Sequence, residues 1–549
     1  MKKAAVLITA AILLAVFFCW KLPASKEIRI YRPAAKTDIL LLPLDSRPVC
    51  TSLPQKLGKL AGFNVILPPK ELLDNYQKPA DREKLYQWLR SSGKKPAVIS
   101  ADLLLHGGLL QGRQYKDDAS WQQRLLKELS APAAGERQVF SVVPRLLVSD
   151  ELLPDRWYSF HLMNYSRLFD MAEISSDPYI TMEMLDMKSR IAPEVLNKYV
   201  SLYRQSEAFN RSLINLAGPD LQVFIGQDDS MPLGIPHRSF ERLHSLIQSS
   251  GKSPYAQMIY GADEIAAVLL ARRFLQQQGW QPKIFIIYAD PASEFRYMPY
   301  MGASTGQTLR NKLQLLGVAE AADEKSADIV LYVNCGSENF HPAEAHARRL
   351  QQLIGSGKPT ALIDLSSNFT EEELLMPVLL DADVPLNRLA AYSGWNTLSN
   401  SAGTALAQAV IFTGRCRSLL QIREEKLRRS LLLGLYAANL RFTAERLLDD
   451  YVYQKQLHAS LSRDLLAQGI TPTSLSPEEK TYAEELIQRY LSFRAEVLLH
   501  RNLGRTPFYS DEYNDYYLKG LQAAAQLPWN RIFEVRLEVY TQIGRRSRS

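Results

Sequence analysis

Short apolar runs rich in Ile, Val and Leu alternate with longer stretches of helical period along most of the chain. The runs fall at 38–43 (DILLLP), 63–68, 96–100, 138–143, 221–226, 256–260, 283–288 (KIFIIY), 328–333, 360–365 and 389–393. Their shortness, their β-branched content and their lack of polar alternation predict strands buried on both faces of a parallel sheet. Between them, 81–91, 120–130, 262–279 and 342–355 carry amphipathic spacing and predict crossover helices. The alternation predicts an α/β fold of doubly wound, mostly parallel sheets, as two Rossmann-like domains, with one elaborated barrel as the alternative.

The uneven spacing of the runs, and a stretch at 144–220 that is nearly all helical in pattern, favour sheets over a barrel. From about 403 the strand pattern stops. Leu420, Leu427, Leu431, Leu435, Ala438 and Phe442 recur at helical spacing, and Ser476-Pro477-Glu478-Glu479 has the form of a capping box opening a helix towards Asn502. The expected organisation is a first α/β domain with a helical insertion over 38–220, a second α/β domain over 221–402, and a helical region over 403–549. The closing RRSRS is expected to be frayed and solvated.

Ahead of this body, Lys2 and Lys3 precede an apolar run of 17 residues, Ala4 to Trp20, closed by Lys21. That is the lower limit for spanning roughly 30 Å of hydrocarbon. Positive charge before the run holds the N-terminus in the cytoplasm and passes the rest across. Residues 1–24 therefore read as a signal peptide or a retained membrane anchor, 25–37 as a linker, and the body as extracytoplasmic. The chain carries a net charge of +7, and loss of Lys2, Lys3 and Lys21 with residues 1–24 leaves +4. No dense basic stripe accompanies so small an excess, which argues against a nucleic-acid partner. Cys19, Cys50, Cys335 and Cys416 lie far apart, which excludes a zinc ribbon, a CxxC redox motif and a disulfide scaffold.

Polar residues collect just after the apolar runs, where loops and helix N-termini of a doubly wound sheet converge on ligands. Asp45 and Arg47 follow the first run, Asp102 and His106 the third, and Gln227, Asp228 and Asp229 the fifth. Asp263 and Glu264 follow the sixth, Asp290 ends the seventh, Asn334 ends the eighth, and Trp395 and Asn396 follow the last. Asp45 with Arg47 also suits a local salt bridge, and Asp263 with Glu264 suits a helix start, where the macrodipole favours negative charge. His341, Glu344 and His346 resemble a metal set, but their spacing does not put both histidines on one helical face. Tyr509, Tyr513, Tyr516 and Tyr517, interleaved with acids, suit a packed connection between helices better than a ligand groove. The GxGxxG, Walker A and HExxH patterns are absent.

Five motifs then occur in one order: PLDSRP at 43–48, SADLLLHGGLLQGR at 100–113, GQDDSMPLG at 226–234, YGADE with LLAR at 260–272, and SGWNTLSNSAGTALAQA at 393–409. Together they resemble an uncharacterised bacterial family, a domain of unknown function of the four-one-two-seven series, over about 38 to 530. Tyr203-Arg204 and Asn210 resemble its helical motif, while Cys50 stands where the family often has Asn. The resemblance marks Asp45, Arg47, Asp102, Gln227, Asp228, Asp229, Asp263, Glu264, Trp395 and Asn396 as signature positions and implies little about activity.

Two carboxyl groups held close cannot both ionise cheaply, so one becomes an acid and the other a base. The expectation is an extracytoplasmic hydrolase acting on a glycan or other small molecule of the cell envelope. Asp228, Asp229, Asp263 and Glu264 would be its catalytic carboxylates, and Asp45, Arg47, Asp102, His106, Gln227, Trp395 and Asn396 would bind substrate. No cofactor is required, although the same acids could hold a divalent metal for phosphoester chemistry. The competing expectation is a non-catalytic envelope protein that binds a solute or glycan.

Overall fold

The computed structural model describes residues 37–548, apart from 94, 116–117, 132–134, 149–152, 154–156 and 337–342. The expectations for residues 1–36, Cys19 among them, and for His341 lie outside the described residues. Among those described, no helix is long and apolar enough to cross a membrane.

All ten apolar runs are strands. β1 (Thr37–Leu42), β2 (Phe63–Ile66), β3 (Ala97–Ser100), β4 (Arg137–Val143), β5 (Leu221–Gln227) and β6 (Ala256–Tyr260) form a parallel sheet in the order β2-β1-β3-β4-β5-β6. β7 (Lys283–Tyr288), β8 (Ala319–Glu320), β9 (Ile329–Cys335), β10 (Thr360–Leu365) and β11 (Ala391–Ser393) form a second parallel sheet in the order β11-β10-β9-β7-β8. Both are open and doubly wound, and neither closes into a barrel. The first sheet continues through Tyr260, with Val139 opposite Val223 and Val223 opposite Ala256. The expected division at 220/221 therefore falls inside this sheet. β5 follows so long a helical insertion that its sequence reads as a new start, although it pairs back onto β4.

Successive strand residues point to opposite faces, and the burial follows that period. Ile39 and Leu41 enter one core, Leu40 and Leu42 another. In the second sheet Leu331 and Val333 share the core of Ile39 and Leu41, while Val330 and Tyr332 face a third core. One face of each sheet thus lies on a common core, filled by the helices Ser52–Ala61, Ile265–Gln278 and Leu398–Leu420 through Leu57, Leu269 and Ala405. The insertion forms the helices Trp157–Ile174, Pro178–Ser189 and Pro193–Leu216, with a small core of its own around Tyr165, Leu196 and Tyr203.

The C-terminal region begins as expected. Ser476 and Glu479 cap the helix Pro477–Leu498 reciprocally. The helix Glu425–Arg446 runs through a π-helical segment, Leu447–Leu457, into His458–Ala467. The region then ends in antiparallel strands that sequence reasoning missed: β12 (Tyr509–Ser510), β13 (Asn514–Gln526) and β14 (Arg536–Ser547). The terminal arginines are not frayed, because Arg545 and Arg546 pair with Tyr516 and Asp515 in the ladder. The tyrosine cluster lies on this sheet rather than between helices, and Tyr509 packs on Tyr516 and on Tyr436, 5.7 and 4.8 Å between ring centres.

Candidate active site at the carboxyl ends of the first sheet

After β1 the chain curls tightly, with the N–H groups of Cys50 and Thr51 both donating to the Arg47 carbonyl at 3.0 Å. This turns the Arg47 side chain back over the sheet. Its Nε and Nη2 donate to Asp45 Oδ2 at 2.9 and 2.7 Å, and its Nη2 and Nη1 donate to Asp263 Oδ1 and Oδ2 at 2.6 and 3.3 Å. The local pair expected of Asp45 and Arg47 is present, and Arg47 also ties the end of β1 to the loop after β6. Asp74, beyond β2, accepts from the Ser46 N–H at 2.7 Å, and burial beside Asp45 pushes its carboxyl up to about 8.

At the end of β5, the Asp228 N–H continues the ladder to the Val143 carbonyl, and the Asp229 N–H donates to Asp228 Oδ1 at 2.9 Å. Arg113 clamps Asp228 through Nε and Nη2, at 2.9 and 2.7 Å. Burial pushes the Asp228 carboxyl up, but Arg113 and Arg145 outweigh it and hold the group below the ordinary carboxylate range. Burial, with Asp228 adjacent, pushes Asp229 up to about 6. Its side chain is 28% exposed and faces the Arg145 guanidinium at 3.8 Å. Asp263 is raised by burial against the pull of Arg47.

Gln227, Asp228, Asp229 and Asp263 line one pocket of about 310 Å³, its mouth included. The second sheet helps to close it. Tyr300, in the loop after β7, accepts from the Ser230 N–H at 3.1 Å and lines the pocket with Gly302. Thr397, Ser399 and Asn400, at the start of the helix Leu398–Leu420, form another wall. Gly261 (φ +107°) lets this wall approach, because a Cβ there would fall 2.7 Å from the Ser399 Cβ.

The other expected residues lie elsewhere. Glu264 is fully buried in an ion pair with Lys312, which also donates to the Tyr260 carbonyl, and it does not line the pocket. It is a strut between helices, so its expected catalytic role is withdrawn. His106 binds Asp118 through Nδ1 at 2.9 Å, away from the pocket. Asp102 is buried within electrostatic reach of Asp228, and burial pushes it up to about 6, but it does not reach the pocket. Trp395, 6% exposed, lines a separate depression with Arg47, Arg446, Asp449 and Glu534. Asn396 takes a left-handed conformation (φ +54°) beside the pocket wall, without lining the pocket.

Sequence reasoning missed Arg113, Arg145, Tyr300, Ser399 and Asn400 as site residues. Arg113 closes the SADLLLHGGLLQGR motif, and Ser399 and Asn400 sit inside SGWNTLSNSAGTALAQA, so the motifs held a signal for three of them. A G-x-S-x-G run at 302–306 has the spelling of a hydrolase nucleophile elbow. Its Ser304 instead caps the helix Thr305–Leu316 in a capping box with Gln307, after a long loop rather than directly after a strand. Ligand atoms of Asp45, Cys50 and Asp263 lie within 4.8 Å of one another, spaced for a cation. The Arg47 guanidinium already bonds both carboxylates, and burial holds the Cys50 thiol well above its usual range. His346 donates to or accepts from the Tyr332 hydroxyl at 2.8 Å, and Glu344 stands exposed at the head of its helix.

Comparison with curated proteins and with solved structures gives no significant match. One family model, described as a protein of unknown function (DUF4127), matches residues 39–538, nearly the whole described body, and the chain belongs to that family.

Proposed function

We propose that the protein is a hydrolase acting by paired-carboxylate acid/base chemistry on a glycan of the cell envelope. The observation that carries this reading is the opposite tuning of neighbours in one pocket: Asp228 is held ionised by Arg113 and Arg145, while Asp229 is raised to about 6. Environments that push two titratable groups apart assign the acid and the base. Asp229, the more open of the two, gives a proton to the leaving oxygen, and Asp228, fixed by Arg113, keeps the negative charge that orients water or stabilises an oxocarbenium-like centre. Asp263, bound to Arg47, frames the pocket. Trp395 takes no part at the reacting bond. The lysines flanking the apolar run at 4–20 support work outside the cytoplasm, with that run as export signal or membrane tether.

The test is release of reducing ends from envelope glycan by the purified full chain. Asp229→Asn and Asp228→Asn are each expected to lower the rate by about 10²-fold or more, the usual worth of a positioned acid or base. Glycan that binds without release of reducing ends, with affinity untouched by either variant, would make this a binding protein instead.

A further inference from the structure

A wide groove opens between the helices Ser52–Ala61, Leu398–Leu420 and Glu425–Arg446 and the strand β14. It encloses about 1820 Å³ with its mouth included, against 310 Å³ for the acid-lined pocket. Leu60, Phe63, Leu419, Leu431, Leu435 and Phe442 make its walls apolar. Two polar wall residues are already bonded, Gln55 to the Val65 carbonyl at 3.2 Å and Asn64 to Asp38 at 2.9 Å. The charges are unbalanced, with Lys56, Lys59, Arg415 and Arg441 set against Glu445 and Glu538. Lys56 faces both acids, Glu445 at 2.8 Å and Glu538 at 3.6 Å. Arg415 pairs with no carboxylate among the described residues, and its buried Nε has no hydrogen-bond partner. Burial pulls this guanidinium below its usual range. A half-buried cation in an apolar groove carries a desolvation cost without a counter-charge, which points to an anion brought by a ligand.

We propose that this groove holds the acyl chain of an anionic membrane phospholipid, with the headgroup phosphate at Arg415. The apolar walls take the chain by the hydrophobic effect, and the planar guanidinium matches phosphate oxygens. The place of the groove in the fold agrees. The Arg415 Cζ lies beside Gly62, 4.0 Å from where a Cβ there would stand. Gly62 precedes Phe63, which pairs with Thr37 at the start of β1. The cationic end of the groove is therefore next to the point where the chain arrives from the apolar run at 4–20. The 16 residues from Lys21 to Lys36 reach at most about 58 Å, so a tether in the bilayer keeps this end near lipid headgroups. The inference goes beyond the hydrolase reading and rests only on the run at 4–20 acting as a tether.

The test is photolabelling of the full chain, reconstituted in phosphatidylcholine vesicles, with phosphatidylglycerol that carries a diazirine at the end of one acyl chain. Mass spectrometry of the peptides reads where the label lands. Label is expected on 60–65 and 431–442, which line the groove, and on 4–20, which measures bilayer contact. A phosphatidylcholine probe with the same diazirine is expected to label 4–20 equally and the groove about tenfold less. Arg415→Gln, which removes the unpaired charge, is expected to lower groove labelling by the anionic probe about tenfold. Ala438→Trp, at an exposed position of the groove wall, is expected to block it by filling the space. Both variants are expected to leave the label on 4–20 unchanged. No label in the groove, equal groove labelling by the two probes, or groove labelling untouched by both variants overturns the proposal. None of these readouts involves Asp229, so failure of the hydrolase reading leaves the lipid groove standing, and failure of the groove leaves that reading standing.

Discussion

Glu264 shows how far a residue's role depends on what packs on it. Its place after β6, beside Asp263, marks it as one of four candidate catalytic acids, yet Asp263 turns to Arg47 and Glu264 turns to Lys312. Nothing local in YGADE separates them, because the two partners lie 216 and 48 residues away. Burial pulls the fully buried Lys312 below its usual range, against the opposing pull of Glu264. Removing one member of such a pair strands the other charge in a low dielectric, at a typical cost of about 3–5 kcal/mol. Lys312→Met is therefore expected to lower stability by about that amount in urea unfolding, and adding Glu264→Gln to recover part of it. Equal stability of Lys312→Met and wild type would contradict the strut. The same reasoning explains Asp228 and Asp229. The acids were legible as strand-end residues, but which one stays ionised is set by Arg113 and Arg145, which come from other loops.

At the scale of elements, the parallel strands were legible because burial on both faces demands continuous apolar runs, and all ten such runs pair in sheets. The C-terminal hairpin was not. On β13 the inward positions include Ala523 and Ala525, too weakly apolar to stand out, and Gly520 interrupts the pattern beside a register shift. On β14 Leu537 and Val539 alternate with polar residues for only a few positions before the basic tail begins. That hairpin nevertheless reaches the site. Trp529, in its connection, donates from Nε1 to Ser46 Oγ at 2.9 Å and lies under Arg47, 5.7 Å from guanidinium to ring centre. Arg531 covers the same ring at 4.6 Å. Trp529→Ala is expected to cost about 3–5 kcal/mol as a large buried aromatic deletion. It should also speed amide exchange selectively across Ser46–Thr51. Loss of stability without faster exchange in that loop would confine Trp529 to general packing.

The whole molecule places its chemistry where its layers meet. Two doubly wound sheets share one core, and the pocket draws Asp228 and Asp229 from one sheet, Tyr300 from the other, and Asn400 from the helix that follows β11. That the strands form two doubly wound sheets was legible in the sequence; where the first sheet ends was not, since β5 and β6 pair back onto it, and neither was the joint, which depends on loops and helix starts without a period of their own. The joint is also what sets the three pocket acids apart, with Asp228 clamped by Arg113, Asp263 bound to an Arg47 that it shares with Asp45, and Asp229 the most open. Asp229 is protonated below about 6 and loses its proton as pH rises through that value, whereas Asp228 stays ionised to below the ordinary carboxylate range. The acid form of Asp229 and the ionised form of Asp228 therefore coexist only on the acidic side of neutrality. The most direct measurement is the pH dependence of kcat/KM for reducing-end release from envelope glycan by the full chain, which reports groups of the free enzyme. The expected result is a rate that falls as pH rises through about 6, with that limb absent from the residual activity of Asp229→Asn. A rate unchanged across that range, or the same falling limb in Asp229→Asn, would contradict Asp229 as the acid.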